Sequence, residues 1–311
     1  MKAALRGVGA GAKYLLLVAY LVAVVFPMLW VLYTSAKSTQ EIYANPFGLP
    51  KVIMAPDAEA AETLADNYRR AWTDSHFGGY FQNSIKVVLI SLALILLLGS
   101  MSAYALARFE FVGQGFLYML FVAGLLIPMQ LILIPLFFQY TDISEFLTQM
   151  LEPTAVALGL GQLTVSLHDS HAGLILIYVA ASLPFTVFVL TAFFRTLPNE
   201  LREAALMDGA SEYRVYSTVM MPLARPGLVT VAIFNFLGLW NEYLFGLVFL
   251  QSDKLKTLPL GLASISMQAQ YKSDFGILFA GLVITMVPTL LVYIFLQERI
   301  TKGITLGALK G

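Results

Sequence analysis

Few side chains in this 311-residue sequence can do chemistry, and their placement narrows what that chemistry is. There is no cysteine, so disulfides, thiolate metal sites and thiol nucleophiles are excluded. The histidines are His76, His168 and His171. His168 and His171 have the spacing of two metal ligands on one helical turn, with Asp169 between them, but two imidazoles and one carboxylate in a polar interval more often meet water. No Gly-x-x-x-x-Gly-Lys-Ser/Thr run is present to cradle a nucleotide, so no ATP hydrolysis, and no cofactor, is expected of the chain itself. What remains is a polar interval between two long apolar segments, carrying Glu203, Ala204, Ala205, Asp208, Gly209 and Ala210, with Pro222 about a dozen residues later. Carboxylates set among small residues suit docking rather than bond-breaking.

The local pattern of that interval predicts a helix-turn-helix lying on a membrane surface. Pro198 suits a first helical position, and Glu200 and Glu203 fall near the positive end of the helix dipole. Leu201, Ala204, Ala205 and Asp208 recur at helical spacing and make a narrow face of small side chains that can enter a groove closely. Gly209 supplies the permissive backbone that ends the helix, Ser211 caps a second one, and Pro222 and Pro226 punctuate the return. On Glu-Ala-Ala alone, a solvated amphipathic connector would be the plainer interpretation.

The elements that hold this interval are set by composition. The sequence is 59% hydrophobic and 12% charged, with a mean hydropathy of +0.77, which points to a bilayer as its solvent. Six apolar runs, near 14–34, 87–107, 115–138, 172–194, 227–250 and 275–296, are long enough to cross about 30 Å of hydrocarbon. They lack the period-two alternation of barrel strands. The expectation is an all-α polytopic membrane protein with six transmembrane helices: residues 1–13 as a cytoplasmic N-terminus, one transmembrane domain over 14–311, a cytoplasmic loop at 195–226 and a tail at 298–311. The first run follows Lys2, Arg6 and Lys13 but is longer than a signal-peptide core, so a retained anchor is expected. With the N-terminus inside, eleven of the nineteen lysines and arginines fall in the shorter cytoplasmic pieces, in line with the positive-inside rule. A net charge of zero gives no reason to expect a nucleic-acid partner.

Outside, 35–82 mixes proline turns with a helix-prone stretch at 58–72 and is expected to form a small ordered cap. In the interval 139–171, Pro153 to Leu160 is apolar but too short to span, and an interfacial or re-entrant element is expected. Prolines at 27, 128, 135, 184 and 288 tend to kink their helices, for packing or for a rocking motion. Asn235 lies mid-span, with Trp240, Asn241, Glu242 and Tyr243 further toward the external side. Such groups usually face a bundle interior or water, so these five are candidate pore or gate residues. Internal hydrogen bonding by Glu242 and packing by Trp240 is the equal alternative.

A wider set of residues carries a resemblance. Asn67-Tyr68, Phe81-x-Asn83-Ser84, Tyr104-Ala105-Leu106-Ala107-Arg108-Phe109, Leu183-Pro184-Phe185, Leu197-Pro198, Trp240-Asn241-Glu242-Tyr243, Thr257-Leu258-Pro259-Leu260-Gly261 and the ending Gly303 to Gly311 join the Glu203 to Ala210 pattern. Together this set resembles the maltose-type carbohydrate permeases of binding-protein-dependent ABC importers, specifically the smaller six-span member of the pair. The resemblance implies a bacterial inner-membrane protein with both termini cytoplasmic, which takes up a mono- or oligosaccharide or a polyol by alternating access. It implies as partners a second, non-identical permease subunit, two copies of a cytoplasmic ATPase subunit that binds ATP and magnesium, and a periplasmic or extracellular sugar-binding protein. In the family's terms Glu203 meets a basic group in the ATPase groove, Ala204 and Ala205 allow close approach, and Asp208, Gly209 and Ala210 set the turn. Gly303, Gly307, Lys310 and Gly311 resemble the tail that reaches between the ATPase subunits, and the interval 257–274 resembles an external loop beside the docked binding protein. Residues 139–171 depart from the family in being longer than its usual connection.

The competing class is a stand-alone secondary transporter or channel, which would carry charge relays or duplicated halves within the membrane. Only Glu242 is clearly within a span, and no duplicated half is visible. The topology is testable by single cysteines in the cysteine-free background. In sealed cells, Ser211→Cys should be shielded from an impermeant thiol reagent and Ser273→Cys should react; labelling at position 211 would invert the assignment.

Overall fold

The structure is a computed structural model that describes residues 2–158, 162 and 164–308. Every regular element among them is helical, as expected. The chain forms two compact units, one of residues 1–78 with 261–288 and the other of 79–260 with 289–311.

In the first unit, α1 (Lys2–Thr34) leads into three short helices, α2 (Thr39–Ala44), α3 (Lys51–Met54) and α4 (Ala58–Arg69), the last continued by a wider π-helical turn over Arg70–Asp74. This is the expected ordered cap, and its caps are legible: Ser38 and Glu41 form a reciprocal capping box, and Asp57 accepts from the Ala60 amide. Buried polar groups fix the return of the chain. The Asn67 carboxamide donates to the Ser35 and Lys37 carbonyls at 3.0 and 2.9 Å, and Tyr68 Oη lies 2.9 Å from Ser35 Oγ. Lys37 is itself fully buried, with its ammonium on the Asn45 carbonyl at 2.9 Å. The long final helix, numbered α15 below (Phe275–Ala308), starts in this unit, where Gly276 lies so close to Asn67 that a Cβ would fall 2.5 Å from Oδ1.

The second unit is organised around one helix. Its elements are α5 (Phe77–Arg108), α6 (Gln114–Gly124), α7 (Met129–Ala157), α8 (His171–Thr196), α9 (Asn199–Met207), α10 (Glu212–Val215), α11 (Met221–Leu223), α12 (Arg225–Trp240) and α13 (Leu244–Phe249). Helix α5 runs parallel to α8. The Arg108 guanidinium at its end donates to the Phe194 and Leu197 carbonyls at 2.6 and 2.7 Å, and Gly99 abuts Thr186 midway. At the other end, Asn83 binds the carbonyls of Lys254 and Lys256, and His171 sits 2.9 Å from the Leu255 carbonyl. The path α6–α7 runs antiparallel to α8. Arg195 lies over the Tyr118 ring, Gly124 meets Pro184, and Tyr140 donates to the Gly173 carbonyl at 3.0 Å. The path α12–α13 does the same, with Gly227 at Phe193, Asn235 at Thr186, Glu242 at Tyr178 and Phe249 bonded through its carbonyl to Asp169.

This register decides the number of crossings. Four helices are long and apolar enough to cross alone, within Lys13–Thr34, Phe77–Arg108, His171–Thr196 and Phe275–Gln297, and two bent pairs bring the count to six if each crosses once. A re-entrant loop would touch only one end of α8. The interrupted paths α6–α7 and α12–α13 both follow α8 along its length, as passages that each cross once would.

Four expectations on these elements are corrected. The run 115–138 is not one helix: α6 and α7 meet at a 105° bend, because Pro128 has no amide and disfavours helical backbone at the residue before it. The run 227–250 ends at Trp240 and resumes at Leu244, and α12 is itself bent by 75° from the helical stretch before it. The interval 139–171 is largely the continuation of α7, tied back by Thr148 to Val165 and by Ser144 to Leu167; Pro153–Ala157 is its last turn, and Gly159 and Leu160 lie outside the described residues. Likewise 257–274 is mostly helix α14 (Leu258–Lys272) rather than loop.

Asn67→Leu keeps the side-chain bulk but leaves two buried carbonyls unpaired, at a cost of about 1–3 kcal/mol. A lowered thermal midpoint of the detergent-purified protein, without loss of helical circular dichroism at low temperature, is the expected outcome.

Candidate functional site

The polar interval folds as the expected helix-turn-helix. Pro198 is one residue further out than predicted: it is the N-cap, with extended ψ of 134°, and α9 begins at Asn199. The helix ends in a Schellman motif, in which the Ala210 amide bonds the Ala205 carbonyl and the Gly209 amide bonds the Leu206 carbonyl, each at 3.0 Å. Gly209 occupies the left-handed position this motif needs, at φ +82°, with open space where a Cβ would stand. Ser211 then caps α10 by accepting from the Arg214 amide.

The two faces of α9 differ. Ala205 and Leu206, with Ala210, pack against a buried cluster that includes Tyr104, Leu190, Phe194, Val215, Tyr216 and Met220. Glu200, Leu201, Glu203, Ala204, Met207 and Asp208 face outward, and Met207 is 89% exposed. Of the two alanines read as a single smooth face, Ala204 is free for a partner, whereas Ala205 fills the apolar contact of the Schellman motif. Arg202 turns inward and pairs with Glu212. Burial opposes its charge, yet the Glu212 carboxylate and the Tyr104 hydroxyl hold the guanidinium pKa above its ordinary value.

Four of the five polar and aromatic residues of the fifth passage bond or pack within the chain. Asn235 donates to Thr186 Oγ1 at 2.8 Å, and Asn241 donates to the Leu237 carbonyl at 2.8 Å. Trp240 is buried, with its ring on Phe236 at 5.6 Å and edge-on to Phe81 at 5.7 Å. Tyr243 precedes the first residue of α13 as its N-cap, without a side-chain capping bond. Glu242 accepts from Tyr178 Oη at 2.7 Å and from the Phe245 and Gly246 amides at 2.7 and 3.2 Å, so one carboxylate caps the restarted helix. Beside that break lies an apolar cavity of about 260 Å³, lined among others by Gly124, Ala180, Pro184 and Phe245.

Sequence reasoning missed Arg202 and Glu212, whose ten-residue separation across a turn leaves no periodic signal. It also gave no role to Asn199, Tyr104 or Arg108, although the last two stand four apart on one helical face. His168 and His171 diverge: His168 packs between Phe137 and Phe249 and bonds Thr141, while His171 bonds Leu255. Helix α15 continues through Gly303 and Gly307; Lys310 and Gly311 lie outside the described residues.

Comparison with known proteins covers nearly the whole chain. It is 43% identical over 302 residues to the diacetylchitobiose uptake system permease protein NgcG of Streptomyces coelicolor, covering 97% of this chain and 89% of that protein. It is 33% identical over 285 residues to the trehalose transport system permease protein SugB of Mycobacterium tuberculosis, covering 92% of each. Among solved structures it is similar to a chain of a bacterial ABC transporter involved in the import of the acidic polysaccharide alginate, with a TM-score of 0.72 at 20% identity over 92% of this chain and 94% of that one, a likeness of fold. Residues 95–305, which hold the helix-turn-helix and the passages on either side of it, match the binding-protein-dependent transport system inner membrane component family, and the chain belongs to that family of ABC importer permeases.

Proposed function

We propose that this chain forms half of the translocation pathway of a carbohydrate importer, powered by ATP hydrolysis in separate subunits and working by alternating access. The observation that carries the proposal is the outward face of α9, where the carboxylates of Glu200, Glu203 and Asp208, the small Ala204 and the protruding Met207 are exposed together. That face suits insertion into a groove lined by basic and apolar groups on an ATPase. The named relatives carry diacetylchitobiose and trehalose, and the solved neighbour handles alginate, which supports a carbohydrate without selecting one. A second, non-identical permease, two ATPase copies and an external sugar-binding protein complete the proposed assembly. It sits in the bacterial inner membrane with both termini in the cytoplasm.

A stand-alone secondary transporter is disfavoured by the state of Glu242. A proton or ion relay needs a carboxylate free to exchange partners, and this one is committed to Tyr178 and two backbone amides.

Two outcomes test the proposal. In the assembled transporter, Glu203→Lys reverses the charge offered to the groove, and Gly209→Val forces a branched side chain into a left-handed conformation at a cost of about 1–2 kcal/mol; both should abolish uptake while the protein stays in the membrane. Normal uptake and normal ATPase stimulation in both variants would end the coupling assignment. The purified chain alone should support neither ATP hydrolysis nor sugar flux in liposomes, and gradient-driven flux from it would install the secondary-transporter reading.

A further inference from the structure

We propose that Tyr104, Arg108 and Phe109, the polar and aromatic members of the run Tyr104-Ala105-Leu106-Ala107-Arg108-Phe109, fasten the docking helix α9 to α5, so that α5 receives the displacement when α9 is pushed. This rests on α9 being the ATPase-docking segment, and it assigns the receiving helix, which chain connectivity would place at α8 or α12.

The covalent joints of α9 are poor transmitters. Between α8 and α9 the chain is extended at Leu197 and Pro198, with ψ of 141° and 134°, so no helical ladder runs through. On the other side lies the left-handed Gly209. Each joint is a bend about which a short helix can pivot.

The bonds to α5 are of another kind. The Arg108 guanidinium holds the Phe194 and Leu197 carbonyls with one nitrogen and Asn199 Oδ1 with the other, at 2.8 Å. Asn199 is the first residue of α9, and its side-chain Nδ2 donates to Glu203 Oε1 at 3.4 Å. A continuous line of polar contacts therefore joins α5 to the exposed carboxylate that would meet the ATPase. A second line runs in parallel. Arg202 of α9 lies over the Phe109 ring at 5.4 Å and pairs with Glu212, and Glu212 Oε2 accepts from Tyr104 Oη at 3.2 Å. The Tyr104 ring is itself wedged against Phe109, Phe194 and Tyr216, with centroids 5.7, 5.6 and 5.2 Å away. Charge-assisted bonds and a planar guanidinium fork fix orientation as well as distance. Two such fasteners on one end of α5 leave α9 little freedom to move without it. Tyr104 and Arg108, four residues apart, point to the same side of α5, which accounts for the spacing of the run.

The test uses the complete transporter with its partner subunits and binding protein in liposomes. Arg108→Gln and Arg202→Gln should each raise the ATP consumed per sugar imported by about tenfold, and the exchanged pair Arg202→Glu with Glu212→Arg should bring the ratio back toward the parent value. If Arg108→Gln does not assemble, Arg108→Lys, which keeps the charge and loses the fork, takes its place. Normal coupling in both single variants would overturn the proposal. Glu203→Lys runs alongside: if it couples normally, the docking assignment fails first, whereas if it uncouples while the Arg108 and Arg202 variants do not, only the fastening to α5 is lost.

Discussion

In hydrocarbon, a helix that stops must find partners for its freed amides and carbonyls within the protein. The architecture depends on how that demand is met at its interruptions. Glu242 closes the amides of Phe245 and Gly246 where the fifth passage restarts. Arg108 closes the last carbonyls of α8, Asn83 closes two carbonyls of the 254–256 segment, and Asp169 accepts from the Gln251 and Ser252 amides. Each of these side chains belongs to a different passage from the groups it satisfies, or to the far side of a break. Polar satisfaction and helix registration are thus one set of bonds, and α8 is central because Arg108 closes its last carbonyls, its Tyr178 holds Glu242 and Asp169 stands just before its start.

That arrangement gives the fifth passage its character. A continuous helix over 227–250 would have needed no carboxylate; an interrupted one needs a charge that stays inside, and Glu242 is held there by Tyr178. Trp240 and Asn235 pack and bond within the same bundle. The open space beside the break is apolar, where small residues and Pro184 face the bend between α6 and α7.

Much of this was legible from residue order. Six apolar runs, the small cap within 35–82 and the turn at Gly209 follow from hydropathy, capping residues and the need for a left-handed backbone. The bends were not, because a proline at position 128 reads the same in a kinked helix and in one broken by 105°, and only packing against Pro184 separates the two. The inward turn of Ala205 was also invisible: alanine carries no polarity to betray which side of α9 it occupies. Nor could sequence join Arg202 to Glu212 or Tyr104, since a salt bridge across a turn and a contact nearly a hundred residues away leave no period.

The division of α9 into two faces means that its short signature is two messages written in one alphabet. Glu203 and Ala204, with Glu200, Leu201 and Met207, face outward, while Arg202, Ala205, Leu206 and Ala210 address the chain's own interior. In the proposed assembly the first group would be open to rewriting for a different motor with the bundle undisturbed. The second cannot change without a matching revision in α5 and α10, which sets the smallest segment that could be exchanged between two such proteins as a working whole.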